Sequence, residues 1–184
     1  MSTQTRPITA DDFFDWPQDP GSRQELIRGE VVTMSLPGGR HGRIAGKILR
    51  RVGNHVEASR LGETYAAETG FILERDPDTV RGADVAYVSL ERLARVVDED
   101  KHFPFAPDLV VEVRSPNDRD PEIEEKTELW LAAGSRLVWN VDPVARTVTV
   151  HRPGARPLLL TETDEIDGAD VLPGFRCRVA DFFA

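Results

Sequence analysis

Residues 108–116 read DLVVEVRSP. Leu109, Val110, Val111 and Val113 are aliphatic or β-branched, and the run follows Pro107 and stops at Ser115-Pro116. A short apolar run bounded in this way predicts a strand buried on both faces. Side chains alternate along a strand, so Glu112 and Arg114 point one way and Val111 and Val113 the other. A carboxylate in a core strand is costly unless it is paired, hydrogen-bonded or bound to a metal. Glu112 is therefore the first sign of a site.

Just downstream, PEIEEKTELWLAAG (121–134) predicts a helix. Pro121 suits the first turn, acids crowd the start and Gly134 is a good stop. Ile123, Lys126, Thr127, Trp130 and Ala133 share one face, whereas Glu122, Glu125 and Glu128 lie largely elsewhere. Lys126 is thus a lysine on an apolar stripe. Alone, it reads as a side chain that snorkels to water or pairs with a nearby acid. Beside Glu112 and a further acid upstream, a role in a site is the stronger reading. That acid is Asp84, in VRGADVAYVS (80–89), where Asp84, Ala86 and Val88 share one strand face and Ala83, Val85 and Tyr87 the other. An Asp, a Glu on a neighbouring strand and a nearby Lys form the grouping that metal-dependent phosphodiester hydrolysis needs. Two carboxylates hold a divalent cation, which polarises a phosphoryl oxygen and lowers the pKa of a bound water. A lysine orients that water or stabilises developing charge.

With these residues in view, the chain resembles the Uma-type restriction endonuclease family, within the PD-(D/E)XK nuclease superfamily. The resemblance runs through ELIRGEVVTMS, His41, GADVAYVS, PDLVVEVRSPND, the K-x-x-x-W-x-x-x-G of Lys126 to Gly134, VWNVDP (138–143) and LPGF (172–175). No single piece is specific; their order and spacing together are. The resemblance implies an α/β fold with a mixed central sheet flanked by helices, and catalytic roles for Asp84, Glu112 and Lys126. In the family's pattern the Gly29-Glu30 pair recurs, which makes Glu30 a candidate third acid; a solvated strand end is an equal alternative. His41 also matches a family position, with contact to substrate or site and a plain helix cap as its two readings. The chain departs from the superfamily twice. Its Pro-Asp is Ala83-Asp84 here, and its E-x-K is Glu112-Val113-Arg114. Arginine is effectively always charged and cannot act as a base. The Uma-type pattern puts the lysine on the following helix, where Lys126 lies.

Composition sets the outer bounds. A chain of 184 residues suits a single domain and is long enough to bury a core. One cysteine, Cys177, excludes an intramolecular disulfide framework and a multi-Cys zinc site. No apolar run is long enough for a signal peptide or a membrane span, so the expected compartment is the cytoplasm. The net charge of -9 argues against a nucleic-acid binder, but the charge is uneven. Residues 31–56 contain no acid. Within them a helix is predicted from His41 to about Ala58, with Ile44, Ile48, Val52 and Val56 on its apolar face. Arg43, Lys47, Arg50 and Arg51 form a basic stripe on another face, and Arg40 just precedes it. Such stripes are usually solvated faces; in this acidic chain, Arg40, Arg43, Lys47 and Arg50 are the best candidates to contact phosphates.

The remaining predicted elements are a short helix after Thr9, a hairpin about Arg28-Gly29, two or three strands in 62–88, a helix from Leu90 to Val97, a strand at 137–141 and a terminal hairpin. There is no phosphate-binding glycine loop and no nucleophile elbow. The function expected is a Mg²⁺- or Mn²⁺-dependent endonuclease acting on DNA. Asp84, Glu112 and the backbone carbonyl of Val113 hold the metal, and Arg114 clamps a phosphate. The alternative is a catalytically silent nucleic-acid- or protein-binding domain on the same fold. The expected partners are DNA and a second copy of the chain in a homodimer, with no membrane.

Overall fold

The computed structural model describes residues 6–17, 19–67 and 69–184. Helix α1 (Ala10–Phe14) starts at Thr9, whose side chain caps the Asp12 amide while Asp12 caps the Thr9 amide. Strands β1 (Ser22–Ile27) and β2 (Glu30–Ser35) form the expected hairpin. Its two turn residues, Arg28 and Gly29, both have positive φ. That is the mirror-image turn whose twist suits a two-residue hairpin, and glycine supplies it without steric cost.

Helix α2 (Gly39–Ser59) buries Ile44, Ile48, Val52 and Val56, one residue per turn. Each such burial is worth about 1.5–3 kcal/mol before entropy is counted. Strands β3 (Gly62–Ala66), β4 (Gly70–Glu74), β5 (Thr79–Gly82) and β6 (Val85–Ser89) follow, then helix α3 (Leu90–Leu93) and strand β7 (Leu109–Val113). Helix α4 (Asp120–Ala132) leads to β8 (Leu137–Asp142), β9 (Thr147–His151), β10 (Leu158–Leu160), β11 (Glu165–Gly168), β12 (Leu172–Arg178) and helix α5 (Ala180–Phe183).

Six strands make a mixed sheet in the order β10-β9-β8-β7-β6-β3, in which β7 and β8 run parallel and the other pairs antiparallel. A second sheet, β2-β1-β5-β4, is antiparallel, and β11 and β12 form a ribbon. Both faces of β7 are covered. Leu109, Val111 and Val113 pack with α2, Trp139 and the C-terminal aromatics, whereas Val110 packs with Trp130 of α4, Phe71 and Phe103. The fold is the α/β arrangement expected, a mixed central sheet between helices. Among the described residues no helix is long and apolar enough to cross a membrane.

Two local expectations change, and one element is additional to those expected. VRGADVAYVS is two strands rather than one, because the chain leaves the smaller sheet after Gly82 and enters the larger one at Val85. Alternation breaks at that crossing: Ala83 joins Ala86 and Val88 in one core cluster, and Val85 and Tyr87 lie in the other. The helix after Ser89 ends at Leu93, well short of the fully exposed Val97. The segment after Asp164 folds as the β11–β12 ribbon, where Cys177 is buried.

Candidate active site

Asp84 sits in the crossing between the two sheets. The last β6–β7 pair is Val85 with Val111, so the amide of Val113 has no β6 strand partner. The Asp84 side chain takes its place, with Oδ2 accepting the Val113 N–H at 2.8 Å. The same oxygen lies 3.0 Å from His41 Nε2, and Oδ1 lies 3.4 Å from Arg23 Nη1. The carboxylate of Asp84 is thus locked to the residue beside Glu112.

Glu112 points from β7 toward α4. Lys126 and Trp130, one helical turn apart on α4, reach its two oxygens separately: Lys126 Nζ is 2.8 Å from Oε2, and Trp130 Nε1–H donates to Oε1 at 2.8 Å. The apolar-stripe placement read for Lys126 brings its ammonium to this carboxylate rather than out to water.

A third acid comes from β1. Glu25 is 1% exposed. Its Oε1 lies 3.3 Å from Arg23 Nη2 and 3.9 Å from Lys126 Nζ, and its Oε2 lies 3.4 Å from Arg81 Nη1. The pairing of Leu26 with Val80 makes Glu25 and Arg81 cross-strand neighbours. Arg23 also donates to the Gly82 carbonyl. Three carboxylates therefore meet three permanent cations and one histidine in a nearly closed cluster.

The charges divide the acids by role. Burial disfavours an ionised Asp84, but the hydrogen bond and charge of His41, the charge of Lys126 and the Val113 amide hold it below the usual carboxylate range. Glu112 is pushed up, by burial first and by the charge of Asp84, against the pull of Lys126 and Arg23. Lys126 is raised despite burial, because Glu112, Glu25 and Asp84 favour its charged form. It is an ammonium at neutral pH, a donor and a positive charge rather than a base.

The sequence reading placed other residues near this cluster. Glu30 is exposed at the hairpin end of β2, opposite Ile27, and has no hydrogen bond or ion pair to the cluster among the described residues. The third acid here is Glu25, five positions earlier. Arg114 leaves the end of β7 and pairs with Asp120 at 2.6 Å and Asp142 at 3.8 Å, fastening the strand end to the start of α4 instead of facing Glu112. His41 is not a cap. The N-cap of α2 is Gly38, which makes no side-chain cap, and His41 lies inside the first turn. Arg40, Arg43 and Arg50 are exposed and Lys47 is half-buried along α2. Arg43 Nη1 is 3.4 Å and 3.2 Å from the carbonyls of Phe183 and Ala184. Arg23 and Arg81 join the site without having been singled out, and Trp130, read only as part of the apolar stripe and of the Lys126-to-Gly134 motif, joins it as a donor.

Asp84, Glu112 and the Val113 carbonyl are hard oxygen donors, the kind that Mg²⁺ accepts. Among the described residues no three His, Cys, Asp or Glu side chains are grouped to share one ion.

A family model, Uma2, described as "Putative restriction endonuclease", matches residues 10–180. A solved structure described as a "putative nuclease belonging to DUF820" from Anabaena variabilis superposes with a TM-score of 0.81 at 22% identity, over 96% of this chain and 98% of that one. At that identity the likeness concerns the fold. No curated protein sequence matches the chain.

Proposed function

Because the chain belongs to the Uma2 family, we propose that it is a metal-dependent endonuclease that hydrolyses phosphodiester bonds in DNA, acting in the cytoplasm. The observation that carries this reading is the meeting of Asp84, Glu112 and Lys126: the Lys126 ammonium is 2.8 Å from Glu112, and Asp84 is bonded to the amide of Val113. Asp84, Glu112 and the carbonyl of Val113 would hold Mg²⁺ or Mn²⁺. When bound, that ion supplies Lewis-acid polarisation of a phosphoryl oxygen and a more acidic water.

The chain's own groups do the rest. Lys126, kept protonated by its acids, orients an attacking water by hydrogen bonding and offsets charge that develops on the phosphoryl oxygens. His41 and Arg23 hold the two oxygens of Asp84 in fixed directions. The basic residues of α2 begin beside His41 and give the anionic substrate a landing surface on an acidic protein.

A second reading, a binding domain without catalysis, draws on one observation. The three carboxylates already face three permanent cations, so a structural ion-pair cluster would be complete without metal. Plasmid cleavage by highly purified protein in Mg²⁺ or Mn²⁺ decides between them. On the nuclease reading, Asp84→Asn and Glu112→Gln keep the fold and lower the rate by about two orders of magnitude or more, since each tenfold is about 1.4 kcal/mol and the lost charge stabilisation is several. Equal cleavage by wild type and both variants would identify a contaminant and favour the binding domain.

A further inference from the structure

Trp130 brings to Glu112 a donor that carries no charge and does not titrate, unlike the Lys126 ammonium on the other oxygen. Its indole N–H has no other capacity than to donate, and it donates to Oε1 of Glu112. The ring itself is 0% exposed and packs with Phe71, Phe103, Ala83, Ala86, Val110 and Val138. Phe71 meets it edge-on, with centroids 6.2 Å apart. The ring direction is therefore set by core packing, and the hydrogen bond transmits that direction to the carboxylate. Lys126 alone would not do this. An ammonium on a flexible stem follows its partner, whereas a wedged indole is a fixed donor. Hydrogen bonds to an ionised acceptor are also among the stronger ones.

From this geometry we infer that Trp130 is a positioning residue: it fixes the plane of the Glu112 carboxylate, so that the acid presents a constant lone-pair direction toward the cation and the Asp84 side. The inference rests on the nuclease reading only in taking that cation as the object of the positioning. Groups that orient a metal ligand through its second atom typically change metal affinity by about 10- to 100-fold when removed. Trp130 stands in that relation to Glu112.

The test uses the full chain and three variants. Trp130→Phe keeps an aromatic ring against Phe71 and removes the N–H. Phe71→Leu loosens the same packing and leaves the N–H in place. Glu112→Gln alters the acceptor. Two readouts are taken: the indole N–H resonance of Trp130 by ¹H–¹⁵N NMR, assigned by its loss in Trp130→Phe, and Mn²⁺ affinity by calorimetry. The expected result is an indole resonance that moves in Glu112→Gln and on adding Mg²⁺. Mn²⁺ affinity should fall about tenfold in Trp130→Phe and by clearly less in Phe71→Leu, which keeps the N–H and the other ring contacts, although both variants melt earlier. An indole resonance unmoved by Glu112→Gln overturns the inference, as does wild-type Mn²⁺ affinity in Trp130→Phe. A loss of affinity of equal size in Phe71→Leu overturns it too, by showing that packing alone is responsible. Wild type that binds no Mn²⁺ at millimolar concentration fails the nuclease reading directly and removes the cation from the inference. That outcome is separate from the variant comparisons.

Discussion

The imidazole of His41 stands 3.0 Å from the Asp84 carboxylate and joins the first turn of α2 to the crossing between the two sheets. Burial works against a charged His41, but the hydrogen bond and charge of Asp84, with Glu112 beyond it, raise its pKa against the repulsion of Arg23. A group whose pKa is raised by folding contributes stability below its unfolded value, near 6.5, and loses it as pH rises through the folded value. Asp84 has the opposite sign. Its pKa is depressed, so its contribution is intact above an unfolded value near 3.9 and is lost as pH falls through the folded one. In metal-free protein, unfolding free energy should therefore decline as pH rises above about 6.5, and His41→Gln should flatten that decline. Urea unfolding at several pH values measures both curves. Parallel curves would show that the pair does not form in solution.

The pair of Lys126 with Glu112 sets a second expectation. Breaking a buried pair by removing one member costs about 3–5 kcal/mol. Here the two side chains are 22% and 15% exposed, so water screens part of that. Lys126→Met should cost about 2 kcal/mol, and Glu112→Gln on top of it should cost less than it does alone. Contacting residues couple by about 0.5–3 kcal/mol in such a double-mutant cycle. Denaturant unfolding of the four proteins gives the coupling directly, and additive single effects would show the contact to be absent.

Glu25 and Glu30 lie five positions apart and differ in their surroundings. Glu25 is 1% exposed between Arg23 and Arg81, and Glu30 is exposed at the hairpin. Glu25→Gln should destabilise by about 3 kcal/mol, because two arginines lose their shared counter-charge. Glu30→Gln should stay within about 0.5 kcal/mol, as surface changes do. Thermal or urea melts suffice, and comparable effects at both positions would contradict the burial seen here.

The contrast between these two glutamates shows what the sequence carries and what it does not. Glu112 is legible as a charge on an otherwise apolar strand and Lys126 as a charge on the apolar stripe of its helix, and periodicity alone gives their faces. Val110 and Val111 pack on opposite sides of β7 as alternation requires. Glu25 has no such contrast. Its neighbours Arg23 and Gln24 are polar, so RQELIR reads as an ordinary half-exposed strand. Its burial arises from Arg81 on β5 and Lys126 on α4, partners distant in sequence. The break at Ala83-Asp84 is hidden for a related reason. Nothing in VRGADVAYVS marks the transfer from one sheet to the other, and the transfer is what frees Asp84 to bond the Val113 amide.

The last prediction concerns substrate binding along α2. The side chains of Arg40, Lys47 and Arg50 have no hydrogen bond or ion pair among the described residues, whereas Arg43 already reaches the C-terminal carbonyls of Phe183 and Ala184 and Arg51 pairs with Asp181 at 3.6 Å. Duplex DNA releases counterions when a cation replaces them, so log affinity falls with log salt at a slope of about -0.9 per phosphate neutralised. Lys47→Gln with Arg50→Gln should flatten that slope by up to about two and weaken all sequences alike. Arg43→Gln should flatten it less, because its guanidinium is partly committed within the protein. Metal affinity should be unaffected in each case, since the acids lie on β1, β7 and the sheet crossing. The measurement is duplex DNA affinity of an Asp84→Asn background across a salt series. A slope unchanged by the Lys47 and Arg50 substitutions would make the stripe an ordinary solvated face, and DNA would have to be held elsewhere on an acidic surface.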